Sequence, residues 1–280
     1  MAKPGNGWLR LTAPISVLLA IAAGSGLLVP GLYRDSPYFA TQAVAQDLVS
    51  LAVALPLLIA TAVLAARGSL RARSLWLGEL IYLVYTYAIA ALEVRFNALF
   101  LVYVALLGCS LYALIGGLLT TDLSAVKASF SEKAPVKAVS IYLGVLAILF
   151  YWLWLSEVIP ALIAGVTPQS VADNGTPTNA VHVLDMAWVL PAMGIAAVTL
   201  WRQRPLGYML AAALLAFVVL LALAILSMVV FLMRGGHPVV VPQVVVFATL
   251  FMTSLGMLTW FMRSLRPAAS KESVLTAVSP

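Results

Sequence analysis

Residues 176–201 read TPTNAVHVLDMAWVLPAMGIAAVTLW. A turn-rich opening leads into a run of apolar residues long enough to cross a hydrocarbon core of about 30 Å, which needs roughly 20 helical residues. The run contains two ionisable side chains, His182 and Asp185, both near its start. What surrounds it decides the fold. The chain has 280 residues, of which 63% are hydrophobic and 9% charged, and this balance excludes an ordinary soluble domain. Comparable runs recur at 11–32, 44–66, 75–94, 97–120, 137–160, 179–201, 206–233 and 240–262. The expected fold is therefore all-α, a polytopic membrane protein with a single transmembrane domain of about eight helices.

The first run, preceded by Lys3 and Arg10, is longer than a signal-peptide core and is read as a retained helix. The single cysteine, Cys109, falls mid-span and permits no intrachain disulfide. In an eight-span arrangement every Lys and Arg except Arg34, Arg95 and Arg234 falls on one side. The positive-inside rule then places both termini in the cytoplasm. Basic residues scattered over loops do not form a nucleic-acid-binding stripe; the bilayer is the expected partner.

Echoes between the two halves of the chain suggest a four-plus-four parallel repeat. Leu55-Pro56 and Leu190-Pro191 are each followed eleven residues after the proline by an arginine, Arg67 and Arg202. The segments "LVPGL" (28–32) and "VIPAL" (158–162) each end a span, and Asp47 and Asp185 open the next one. In this repeat Asp47 and Asp185 are pseudo-symmetric partners. The loop at 121–137 mixes both charge signs with serine and reads as a solvated connector.

Ionisable residues inside spans are rare and costly, so each is a candidate functional group. Asp47, Glu93, Glu157 and Asp185 lie toward the outer face, at the level of His182, Arg95, Arg234 and His237. They form the candidate ligand-binding set, in which His182 and Asp185 share a helix face through their i, i+3 spacing. Against this stands helix capping, since an acid near a helix N-terminus also favours the positive dipole end. Glu79, Tyr82, Thr86 and Glu93 form a stripe along the third helix and make a candidate polar path. His182, Asp185 and His237 are a candidate set for a divalent metal. Trp152 and Trp154 read as members of an interfacial aromatic belt. Histidines paired within spans, as a haem needs, are absent, and the lysines lie outside the apolar runs or at their ends, which argues against a retinal Schiff base. No nucleotide-binding fingerprint is present.

The run "TPTNAVHVLDMAWVLPAMGIAAVTLWRQRPLGY" resembles one in uncharacterised bacterial multi-pass inner-membrane proteins. In these proteins, too, an outer loop leads through His-x-x-Asp into a helix ended by a basic, Pro-Leu-Gly-Tyr turn. The resemblance implies a bacterial inner-membrane location and no particular activity or cofactor. Three readings of function stay open. One is a carrier or ligand-binding protein for a small polar, cationic or lipid-like ligand. A second is a membrane-embedded enzyme, with His182 as base or metal ligand and Asp185 orienting it. The third is an accessory subunit of a complex, or an oligomer, in which the charges only pair helices.

Overall fold

Ser36 and Pro37 show how this chain starts its helices: the Ser36 hydroxyl accepts from the Phe39 N–H at 3.2 Å, and Pro37 fills the first helical position. Ser69, Asp122 and Asn179 cap other helices in the same way, and Gly165 ends one in the left-handed conformation at φ 67°. The computed structural model describes residues 7–265 apart from Pro238, Val240 and the side chain of Gln243. Lys3, Arg266 and Lys271, which entered the charge argument, lie outside the described residues.

Eight helices are long and apolar enough to cross a membrane: α1 (Trp8–Leu28), α2 (Pro37–Ala66), α3 (Leu70–Leu92), α4 (Phe100–Leu119), α6 (Val136–Ala164), α8 (Ala180–Trp201), α9 (Pro205–Arg234) and α10 (Val241–Arg263). Two short helices, α5 (Leu123–Ser129) and α7 (Gln169–Asn174), lie in connections. The all-α, eight-span expectation holds, with no β-strand among the described residues beyond an isolated bridge between Phe130 and Leu265.

Helix α3 is the hub: 72% of its span is buried, against 11% for α10. It packs on α2, α4 and α9. A side chain at Gly78 would strike Ala213 and Ala216, so this glycine lets α3 and α9 approach backbone to backbone. Small residues at such a crossing give the close van der Waals fit that holds helices together in lipid. Trp76 packs on Gly117 of α4 and donates its indole N–H to Thr12 of α1 at 3.0 Å. Residues with no such partner, such as Leu28, Leu119 and Ile163, stay more than 80% exposed, as lipid-facing side chains do.

Several boundaries differ from the sequence reading. Helix α2 starts at Pro37 rather than 44, because Ser36-Pro37 is a complete start signal. Asp47 therefore stands about three turns inside the helix, beyond the reach of the N-terminal dipole, and does not act as a helix-end charge. Helix α6 runs through Pro160 to Ala164, so Glu157 lies within it. Arg73 is buried within α3 and donates to Thr121 at 2.7 Å and Thr120 at 2.8 Å, at the C-terminal end of α4. The connector at 121–137 is not simply solvated. It contains α5, and Phe130 packs between Tyr208 and Phe261 at ring distances of 5.0 and 4.5 Å. Ser131 N–H donates to the Ser264 carbonyl at 2.9 Å, which ties this segment to the end of α10.

Two spans are interrupted in the same way. Helix α2 opens into a π turn at Ser50–Ala54 and α8 at Asp185–Val189; each turn ends directly before a Leu-Pro pair. The proline ring clashes with the carbonyl four residues back, Ala52 in one helix and Ala187 in the other, and a wider turn relieves the clash. In this frame Asp47 matches His182 and Ser50 matches Asp185, which revises the Asp47–Asp185 pairing expected from the sequence echoes.

Candidate functional site

Between α2, α3, α6, α8 and α9 the bundle encloses a cavity of about 520 Å³, within the range of small-molecule sites. It lies toward the end of the bundle where Arg34, Arg95 and Arg234 are the only arginines or lysines among the described residues, here called the cation-poor end. Asp47, Glu93, Glu157 and Asp185 line it, with Gln42, Gln46 and Thr86. The rest of its wall is largely apolar and includes Phe150, Met193, Phe217, Leu221, Ile225 and Met228. Four of the five expected ligand-binding residues thus share one space. His182 does not line it, although its neighbour Val181 does.

Asp47 is held by a glycine and a tyrosine. Gly26 of α1 has no side chain because the Asp47 carboxylate occupies the place where a Cβ would stand. The Tyr33 hydroxyl, from the loop after α1, donates to Asp47 Oδ2 at 2.5 Å. Burial, with the neighbouring Asp47 carboxyl, pushes the Tyr33 pKa far above that of an ordinary phenol, so its hydroxyl remains a donor at any physiological pH.

Asp185 is gripped from a different helix. Trp154 of α6 donates its indole N–H to Asp185 Oδ2 at 2.8 Å and lays its rings against His182 at 4.5 Å. Tyr85 of α3 lines the same cavity. His182 and Asp185 are therefore coupled through Trp154. The nearest acid to His182 is Glu157, Nε2 to Oε2 at 3.6 Å. Glu157 in turn accepts from Ser170 N–H at 2.8 Å, and Asn179 caps α8 through the N–H groups of Val181 and His182. The kink adds one more tie, with Tyr151 donating to the Met186 carbonyl of the π turn at 2.7 Å.

The three residues of the candidate metal set have separate partners in this geometry. His237 packs edge-on against Tyr38 at 5.7 Å, His182 turns toward Glu157, and Asp185 faces Trp154. Among the described residues no three His, Cys, Asp or Glu side chains are grouped so as to hold a metal ion. Trp154, read from sequence as a member of an interfacial belt, donates its indole N–H to Asp185. Trp152 is 67% exposed and fits the belt.

The stripe on α3 binds it to α2. Glu79 Oε2 accepts from Thr61 at 2.7 Å, Tyr82 shares a hydrogen bond with Ser50 at 3.2 Å, and Gln46 donates to both Tyr82 and Thr86, at 2.7 and 3.0 Å. Glu79 and Tyr82 are buried and do not line the cavity, whereas Thr86 does. Glu93, just past the end of α3, has its pKa raised by burial, an effect opposed by a hydrogen bond from the Ala180 backbone. Tyr33, Tyr85 and Gln46 were not singled out as site residues from sequence. Tyr33 stands 14 positions before Asp47 in a loop, and no spacing rule joins them.

Eight apolar helices, with a carboxyl-lined cavity among them, define a multi-pass integral membrane protein with an internal space of ligand size. Comparison with protein-family models, curated proteins and solved structures yields no match to this chain.

Proposed function

We propose that this protein is a carrier or ligand-binding protein of a bacterial inner membrane, with both termini cytoplasmic and the cavity toward the extracytoplasmic face. The orientation rests on the distribution of basic residues. The observation that carries the ligand reading is that two buried carboxyl groups from different helices, Asp47 and Asp185, line one otherwise largely apolar cavity. Carboxyl groups in such a place favour a partner that brings positive charge or hydrogen-bond donors. The apolar remainder of the wall suits an alkyl chain, so the ligand is an elongated amphiphile with a cationic head. The paired kinks support a parallel four-plus-four repeat as the origin of the two carboxyl-bearing walls.

Binding of dodecyltrimethylammonium, dodecyl maltoside and dodecyl sulfate to the protein in lipid nanodiscs tests this reading. The cationic amphiphile should raise the unfolding temperature, by an amount that corresponds to about 2.7 kcal/mol at a hundredfold excess over Kd. Asp47→Asn with Asp185→Asn should remove the effect. Equal stabilisation by all three amphiphiles, or by none, would overturn it.

A further inference from the structure

Tyr33 comes from the loop after α1, Tyr87 from α3 and Tyr103 from α4, and all three line the cavity together with Asp47 of α2. The rings of Tyr87 and Tyr103 stand 6.2 Å apart at 31°. The Asp47 carboxyl acts electrostatically on all three hydroxyls. They differ in what they bond. Tyr33 donates to Asp47 Oδ2. Tyr87 and Tyr103 are each 2% exposed, yet neither hydroxyl has a hydrogen-bond partner among the described residues. A buried hydroxyl without a partner is destabilising, and a protein keeps one where water or a ligand completes it. Phenylalanine would fill the same space at either position without that cost.

Glu93 Oε1 and Asp185 Oδ1, also on the cavity wall, are buried and unpartnered too. A carboxylate draws any cation, with or without N–H groups. A hydroxyl oxygen discriminates, because it accepts a hydrogen bond from an N–H and gains nothing comparable from an N-methyl group. A quaternary ammonium beside Asp47 would leave both tyrosine oxygens without a partner. A primary ammonium carries three N–H donors, one for the Asp47 carboxylate and one for each of the Tyr87 and Tyr103 oxygens. The ring faces could serve a quaternary head through cation–π attraction. Phenylalanine would serve it as well, however, and the buried oxygens would then have no use.

We infer that Tyr87 and Tyr103 determine the specificity of this site, and that with Asp47 they select a primary ammonium head over a quaternary one. This deepens the cationic-amphiphile reading and rests on it. A trimethylammonium head still pairs with the carboxylates, so it binds, but more weakly than a primary ammonium on the same chain.

The test titrates dodecylammonium and dodecyltrimethylammonium against the protein in nanodiscs, for the parent, Tyr87→Phe, Tyr103→Phe and the double variant. Partition of each ligand into lipid is the same for every variant and cancels in the comparison. The double variant should bind dodecylammonium about tenfold or more weakly and dodecyltrimethylammonium within about twofold of the parent. Each single variant should show part of this loss, so the test stands even if the double variant does not fold. Without ligand, the variants should unfold at or above the parent's temperature, since only an unpartnered hydroxyl is removed. A purely structural role would lower that temperature and weaken both ligands alike. Equal weakening of both ligands, no change in either, or loss of the quaternary ligand alone would overturn the inference and leave the cationic-amphiphile reading in place. Failure of both ligands to bind the parent would refute that reading, and this inference with it.

Discussion

Asp47 and His182 occupy equivalent positions in two kinked helices, each one turn before a π segment that ends at a Leu-Pro pair. They are held very differently. Asp47 is hydrogen-bonded by Tyr33 and faces the cavity, while His182 is covered by Trp154 and turned toward Glu157. The site is thus asymmetric on a matched frame: one helix presents its acid one turn before the kink, the other at the first residue of the kink.

A π turn contains one residue more than the α-helical path needs. Ala52 and Ala187 are exposed within the two π segments. Deletion of either, combined with Pro56→Ala or Pro191→Ala to remove the clash that the turn relieves, should close the turn to α-helix without rotating the flanking halves, and leave a monodisperse protein in detergent. Deletion of Ala60, in regular α-helix, should rotate one half of α2 by about 100° and yield aggregate on size-exclusion chromatography. Equal behaviour of Ala52 and Ala60 deletions would refute the account of the kinks.

Gly24 and Gly26 differ by what a methyl group would meet. A Cβ at Gly24 meets nothing within 4 Å, whereas at Gly26 it meets Asp47 and Tyr33. Gly24→Ala should be neutral, or stabilising by up to about 1 kcal/mol through helix propensity. Gly26→Ala should cost roughly 1–3 kcal/mol and weaken amphiphile binding. Thermal unfolding in nanodiscs compares the two.

Thr61 and Glu79 should be coupled. A double-mutant cycle of Thr61→Val and Glu79→Gln, read by reversible unfolding, should give a coupling energy of about 0.6 kcal/mol, with a ceiling near 2. Zero coupling would mean that the buried bond between α2 and α3 is not formed in the membrane.

Glu93 supplies a pH dependence of defined sign. Burial raises its pKa in the folded protein above the usual carboxylate range, so the fold favours its neutral form. That contribution is full below the unfolded pKa of about 4.3 and is lost as pH rises through the folded value. Glu93→Gln should therefore gain stability relative to the parent as pH rises across that window. A difference independent of pH would show that Glu93 titrates normally.

Orientation can be read from exposed loop positions. Thr167→Cys at the cation-poor end should label from outside intact cells, and Lys133→Cys only after permeabilisation. Both positions are exposed. The reverse pattern would move the cavity mouth to the cytoplasmic side.

The existence of eight spans, and a small set of intramembrane acids worth attention, were readable from the chain alone. Apolar length and the cost of burying charge are local properties, and every window of sequence carries them. Where those acids point was not readable. His182 and Asp185 share a helix face by spacing, yet a tryptophan from α6 stands between them, and the i, i+3 rule contains no information about a neighbouring helix. Likewise the polar stripe on α3 divides among separate partners on α2, because Thr61, Ser50 and Gln46 reach it at fixed heights set by the packing of the two helices. Tyr33 became a site residue only when folding brought a loop beside Asp47 across a glycine with no side chain. Hydropathy acts along the chain and fixes what enters the membrane. The cavity is made by side chains from helices distant in sequence, so only their packing could decide it.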